Sequence, residues 1–118
     1  MILADTSVWI QHLRQGVPSL ADLLSEGQIL MHPVVVGELA CGNLKTRAAI
    51  LSDLHALPLA NVASNPEVLQ LIEHRRFWGR GLGLIDMHLL ASALLSHCNL
   101  WTLDRRLADA AKELGLSV

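Results

Sequence analysis

The sequence has 118 residues, a formal net charge of −2 at pH 7, 52% hydrophobic residues and only 3% aromatic residues. A chain of this length forms a single domain, residues 1–118, whose core is built from aliphatic side chains. The weak negative charge excludes a broad basic surface that coats nucleic acid, but it allows a local basic rim.

Short apolar runs alternate with helical patterns along the chain. In chain order, strands are predicted at residues 1–4, 28–31, 57–62, 99–102 and 116–118. Helices are predicted at residues 8–14, 19–26, 34–41, 45–56, 64–77, 85–97 and 104–114. This alternation predicts an α/β fold in which a parallel sheet of about five strands is covered by helices on both faces.

The segment 34–41 carries conflicting signals. Val34, Val35 and Val36 are β-branched and favour a strand. Pro33, however, suits the first turn of a helix, and the glycine after Cys41 suits a helix end. We therefore predict a helix here.

Two features of the sequence indicate the compartment. Cys41 and Cys98 belong to no Cys-x-x-Cys pair, so we expect buried, reduced thiols rather than a disulfide. The N-terminus has no basic segment, and no apolar run approaches the ~18 residues of a membrane helix. We therefore expect a cytoplasmic protein without a membrane segment.

Four of the eleven acidic residues lie in apolar surroundings, where an isolated carboxylate is costly to bury. Asp5 ends the first strand, and Glu38 interrupts an apolar segment. Asp86 begins the most apolar helix of the chain, and Asp104 follows the fourth strand. The other seven acids lie on helices that have a polar face. The four unusual acids together indicate a shared cation.

The order of strands and helices brings these acids to one rim of the sheet. Asp5 and Asp104 lie at carboxyl ends of strands, where open α/β sheets bind their ligands. Glu38 and Asp86 lie on helices near the same rim, so we expect all four to converge. An all-oxygen cluster suits Mg²⁺ or Mn²⁺ rather than Zn²⁺. With such a cation, the cluster can activate a water for phosphodiester hydrolysis.

Each acid also has a purely structural explanation. Asp104 can cap the helix that follows it, and Asp86 can complement a helix dipole. Glu38 can lie on an exposed helix stripe, and a strand-end acid such as Asp5 also occurs in phosphate-handling and receiver-type folds. These explanations account for the acids one at a time, whereas a shared cation accounts for all four.

Four short segments carry the acids in a distinctive order. They are MILADTSVW at residues 1–9, HPVVVGELACG at 32–42, GLGLIDMHLLASA at 81–93 and LWTLD at 100–104. In this order and context they resemble the motifs of PIN-domain proteins, especially the VapC-type toxins of bacterial toxin–antitoxin pairs. The resemblance extends over nearly the whole chain.

The resemblance implies a three-layer α/β/α fold with strand order 3-2-1-4-5. It also implies that the protein is an endoribonuclease that depends on Mg²⁺ or Mn²⁺. It implies that four residues are catalytic and bind the metal, namely Asp5, Glu38, Asp86 and Asp104. Three hydroxyl residues match positions that support the site by hydrogen bonding, namely Thr6, Ser7 and Thr102. It also implies a homodimer and a cognate antitoxin whose C-terminal segment blocks the active-site groove. Direct DNA binding is not expected without that antitoxin.

One position departs from the family pattern. Many relatives carry another Asp or Asn two residues after the fourth acid, where this chain has Arg106. The number of metal ions, one or two, therefore stays open. Arg106, its neighbour Arg105 and Arg80 of the glycine-rich loop are candidate contacts to RNA phosphates.

Two other functions stay open on sequence grounds. A receiver-like or scaffold domain would bind Mg²⁺ without cleaving RNA, but such a domain needs adjacent acids after the first strand, and this chain has Ala4 before Asp5. A housekeeping PIN nuclease of RNA processing or decay would share the same site and would lack an antitoxin.

Overall fold

A short parallel sheet forms the centre of the fold. The computed structural model describes the whole chain, residues 1–118. Strand β1 (Ile2–Ala4) lies between β2 (Ile29–Leu30) and β3 (Asn99–Trp101), and both neighbours run parallel to it. The chain therefore crosses from one side of β1 to the other, and Asp5 follows β1 directly at this switch point.

The predicted third and fifth strands, residues 57–62 and 116–118, are not present as strands. Each makes a single parallel bridge to the sheet, Met31 with Leu59 and Leu100 with Ser117. The two bridges lie on the outer sides of β2 and β3, so the two bridged segments occupy the places that the predicted strand order gives them. The predicted count of five strands is not confirmed, because the sheet has three. One bridged pair is too short for a ladder, and Pro58 has no N–H to extend the first of them.

Seven helices accompany the sheet. They are α1 (Thr6–Gln15), α2 (Pro18–Ser25), α3 (Pro33–Ala40), α4 (Arg47–His55), α5 (Asn65–Arg75), α6 (Leu84–Ser96) and α7 (Arg105–Glu113). All seven correspond to predicted helices, so the α/β class is confirmed. Helix α3 packs against α1 and α4, whereas α6 packs against α5 and β3, and α7 also contacts β3.

The segment with three consecutive valines is a helix, as predicted. His32 precedes α3 in an extended conformation, and its Nδ1 accepts a hydrogen bond from the Val34 N–H at 3.0 Å. Pro33 occupies the first turn, where its missing N–H has no cost. Val35 and Val36 are buried, so packing outweighs the β preference of these side chains.

The core is aliphatic, as the composition predicted. Leu3 and Ala4 of β1 are fully buried in it, and so are Leu90 and Ala93 of α6. Three polar residues are buried among these side chains, namely Asp5, His32 and Ser92. The first belongs to the predicted site, and the other two have no predicted role.

Both cysteines are free thiols, as expected. Cys98 is buried, as expected. Cys41 is exposed, so the expectation that it is buried is wrong. It lies past Leu39, the last buried residue of α3. None of the helices combines the length and the apolar character needed to cross a bilayer.

Candidate active site

Asp5 is the centre of a hydrogen-bonded cluster at the end of β1. The residue is 6% exposed, and its N–H donates to the Trp101 carbonyl of β3 at 2.9 Å. Its Oδ1 accepts hydrogen bonds from Ser7 Oγ at 2.5 Å and from the Val8 N–H at 3.2 Å. Its Oδ2 accepts a hydrogen bond from Thr102 Oγ1. The carboxylate is thus fixed by the start of α1 and by the segment after β3.

Asp104 is joined to the same cluster. Thr102 Oγ1 donates to Asp5 and accepts from the Asp104 N–H at 3.0 Å. Ser7 Oγ adds a second connection, because it accepts from the Leu103 N–H at 3.0 Å. The Asp104 Oδ1 caps α7 by accepting from two N–H groups of its first turn, at 2.9 and 3.1 Å. Asp104 therefore caps a helix and also lies beside Asp5.

Glu38 is connected to the cluster through Thr6. Thr6 Oγ1 donates to Glu38 Oε1 at 2.5 Å. Because Thr6 is the first residue of α1 and follows Asp5 directly, this bond joins α3 to the end of β1. Each of the three predicted supporting hydroxyls thus donates a hydrogen bond to Asp5 or Glu38.

Asp86 lies in the first turn of α6, and its Oδ2 accepts from the Gly83 N–H at 3.0 Å. Burial raises the pKa of the Asp86 carboxyl, and the Gly83 hydrogen bond opposes this shift. The charges of three other carboxylates raise this pKa further, those of Asp104, Asp5 and Glu38. Asp86 therefore lies close enough to each of the other three predicted acids for their charges to act on it.

The four carboxylates do not form a ready-made metal cage. No group of three or more His, Cys, Asp or Glu side chains is arranged to hold an ion directly. The donor set still fits Mg²⁺, which usually keeps several waters and binds through only one or two carboxylates.

The three candidate arginines differ in what they contact. Arg80 is paired with Glu113 of α7, and its guanidinium lies 5.0 Å from the ring centroid of a buried phenylalanine. Arg106 is exposed, makes no ion pair, and lies over Gly81 in the loop before α6. Arg105 is also exposed and unpaired, at the start of α7. Arg105 and Arg106 are therefore free to bind a phosphate, whereas the Arg80 guanidinium is already engaged.

A groove of about 370 Å³ opens beside Glu38, between α1, α3 and the segment that leads to α4. Its apolar lining residues are Ile10, Leu13, Leu39, Leu44 and Ile50. Arg14 and Lys45 add positive charge to its wall. Five of the eleven lining residues are thus apolar and two are basic, and Glu38 of the cluster belongs to the same wall.

The fold and the acidic rim define a class of protein. The family model described as PIN domain matches residues 2–113 of the chain. The crystal structure of PAE2754 from Pyrobaculum aerophilum has a similar fold, with a TM-score of 0.60 and 18% identity over 92% of this chain and 77% of that chain.

Close sequence relatives narrow the class. Ribonuclease VapC32 of Mycobacterium tuberculosis is 46% identical over 119 residues, in strain H37Rv and in strain CDC 1551 / Oshkosh. The match covers 100% of this chain and 96% of the relative. This chain belongs to the VapC family of PIN-domain ribonucleases. Ribonucleases of this class generally use divalent metal ions.

Sequence reasoning assigned no role to His32 and Ser92, although both are fully buried. The sequence gives only a weak indication that these two residues are buried together. One is a histidine just before a proline at the end of an apolar run, and the other is a serine within the most apolar helix. Their contact joins residues 60 positions apart, so no local pattern could reveal it.

Proposed function

We propose that this protein is a metal-dependent endoribonuclease that acts as the toxin of a toxin–antitoxin pair. The observation that supports this most directly is the convergence of four carboxylates, because the charges of three of them act on Asp86. Neighbouring carboxylates repel one another, and burial disfavours the charged form of Asp86. A bound cation removes both costs, and membership of the VapC family supports RNA as the substrate.

The cofactor in this proposal is Mg²⁺, or Mn²⁺ in its place, held by the oxygens of Asp5, Glu38, Asp86 and Asp104. When bound, such a cation lowers the pKa of a water and offsets negative charge on the phosphodiester. Arg106 stands where many relatives carry a further Asp or Asn, so we propose a single ion.

The hydroxyl side chains orient two of the acids. Ser7 and Thr102 donate to the two oxygens of Asp5, and Thr6 donates to Glu38. These hydrogen bonds hold the two carboxylates in place at the rim. Asp86 receives no hydroxyl hydrogen bond, and its Oδ2 accepts only from the Gly83 N–H.

The exposed guanidinium groups of Arg105 and Arg106 bind the RNA backbone in this proposal. They follow Asp104 directly at the start of α7, so both are close to the acids in sequence and neither is used in an ion pair. Arginine suits this role because its planar fork binds two phosphate oxygens at once.

The proposed protein partners follow from the family and from the groove. A C-terminal segment of the antitoxin fits the apolar groove beside Glu38, where it would cover the site. We further propose a homodimer located in the cytoplasm, with DNA binding supplied by the antitoxin rather than by this chain.

The first test is cleavage of single-stranded RNA by purified protein in Mg²⁺, in Mn²⁺ and in excess chelator. We expect cleavage only with a metal ion, and its loss in Asp5→Asn. Asp22→Asn is the matched control, because it makes the same chemical change at an exposed position of α2. Equal cleavage by wild-type protein and Asp5→Asn would contradict the proposal.

The second test separates a toxin from a nuclease of RNA processing. Expression of the wild-type chain alone in a bacterial host should arrest growth, while Asp5→Asn should not. Co-expression of the small protein encoded next to the gene should restore growth. Normal growth with active wild-type enzyme present would contradict the toxin role and favour the processing role.

A further inference from the structure

A buried hydrogen bond joins the two segments that carry Glu38 and Asp86. His32 Nε2 lies 3.0 Å from Ser92 Oγ, and both residues are fully buried. His32 precedes Glu38 by six residues, and Ser92 follows Asp86 by six residues on α6. At 1.5 Å of rise per residue, this bond lies about 9 Å along each helix from its carboxylate.

The hydrogen bonds of His32 define its tautomer. Its Nδ1 accepts from the Val34 N–H at 3.0 Å and so carries no proton. The proton of the neutral ring is then on Nε2, which donates to Ser92 Oγ. Ser92 Oγ also accepts from the Ala63 N–H at 3.1 Å. Burial and the charge of His88 lower the pKa of His32, which agrees with a neutral ring.

The two helices have no other polar connection. Helix α3 packs mainly against α1 and α4, whereas α6 packs mainly against α5 and β3. Among the side-chain hydrogen bonds, the one between His32 and Ser92 is the only bond that links the start of α3 to α6. His32 and Ser92 also accept from the Val34 and Ala63 N–H groups, which an apolar pair would leave without a partner. The bond between the two side chains adds to these local roles, because it joins the segment of Glu38 to the helix of Asp86.

We propose that His32 and Ser92 are positioning residues for the metal site, because their hydrogen bond sets the separation of α3 and α6. This inference rests on the proposed function. Glu38 and Asp86 are the two candidate ligands on these helices, and each helix shift would move one carboxylate relative to the other. With the bond intact, the carboxylates close on an ion by rotation of side chains and not by movement of helices.

Two substitutions break this bond in different ways. Ser92→Ala removes the acceptor and keeps the histidine cap of α3. His32→Asn keeps the cap, because asparagine also accepts from the Val34 N–H, but its side chain is too short to reach Ser92. In that variant Ser92 still accepts from the Ala63 N–H, so we expect His32→Asn to keep its fold, and its urea unfolding curve checks this.

The experiment measures Mn²⁺ affinity, kcat and KM on a single-stranded RNA of mixed sequence, and urea unfolding. The matched control is Val68→Ala, which truncates a fully buried residue of α5, a helix without a candidate ligand. We expect both test variants to weaken Mn²⁺ binding by about tenfold, as is typical for groups that orient metal ligands. We expect kcat to fall with little change in KM, and the double variant to lose no more than either single one.

Two results would overturn the inference in different ways. If wild-type protein binds Mn²⁺ and cleaves RNA, and both test variants match Val68→Ala in Mn²⁺ affinity, then the bond is structural only. If wild-type protein neither binds Mn²⁺ nor cleaves RNA, the proposed function itself fails, and the positioning role fails with it.

Discussion

Replacing Gly81 by alanine would test whether Arg106 contacts RNA. Gly81 has φ +77°, and a Cβ added there would lie 2.5 Å from Arg106 Nη1 and 2.9 Å from its Cδ. Both distances are shorter than real contacts of a Cβ, so the Arg106 side chain must shift away from this position. Gly79→Ala is the matched control, because Gly79 has a similar φ of +70° and open space around its Cβ position.

The expected magnitudes separate backbone strain from the loss of Arg106. An alanine in this left-handed region costs about 1–2 kcal/mol, so both variants should lose that much stability. For a domain of this size, the loss lowers Tm by roughly 3–12 °C. A hydrogen bond to a charged group is worth about 1.5–3 kcal/mol, so displacing Arg106 should raise the KM for RNA by about tenfold or more.

The assay is RNA cleavage over a range of salt concentrations. We expect Gly81→Ala and Arg106→Ala to raise KM alike, and each to reduce the salt slope of log affinity by ~0.7, the value for one lost phosphate contact on a single strand. Gly79→Ala should leave both quantities unchanged. If Gly81→Ala and Gly79→Ala have the same KM and the same salt slope, the position of Arg106 has no part in RNA binding.

Two further predictions concern titrating groups. Burial and three neighbouring carboxylates raise the pKa of Asp86, so ionisation of this residue destabilises the metal-free protein. We therefore expect Asp86→Asn to be more stable than wild type in urea unfolding at pH 7 with chelator present. The same variant should lose RNA cleavage. Because the pKa of His32 is lowered from 6.5, the unfolded chain binds more protons there, so stability should fall as the pH drops from about 6.5 towards the native pKa. His32→Asn should remove this part of the pH dependence, and an unchanged slope would show that His32 stays accessible to protons.

The four acids could be singled out from the sequence because an isolated carboxylate in an apolar segment is costly to bury without a partner. Asp5 and Asp86 lie in segments that are otherwise hydrophobic, so each stood out without any knowledge of the fold. Helix boundaries were also predictable, because prolines and glycines mark them locally. The convergence of the acids was predicted because the carboxyl ends of parallel strands, and the helix residues that soon follow them, share one rim of the sheet.

Other features depend on distances that a local pattern does not contain. Residues 57–62 and 116–118 have strand-like composition, but only one residue pair of each meets the sheet. The approach of Arg106 to Gly81 and the bond between His32 and Ser92 each join segments far apart in sequence. Such contacts become visible only once the packing of the helices is known.

The arrangement of the acids also refines the metal hypothesis. The structure contains no group of three or more side chains arranged to hold an ion directly. Hydroxyl groups hold Asp5 and Glu38 instead, which leaves the charges of the four acids close together and unbalanced. A cation with a partial shell of water fits this arrangement better than one bound by carboxylates alone.

The most direct test of the central claim is a crystal structure of the protein grown with Mn²⁺, in which anomalous scattering locates the ion. We expect one anomalous peak among the carboxylates of Asp5, Glu38, Asp86 and Asp104, with at least one carboxylate oxygen within about 2.2 Å of the ion. A crystal of the active enzyme with no peak at this rim, or with its only peak elsewhere on the chain, would contradict it.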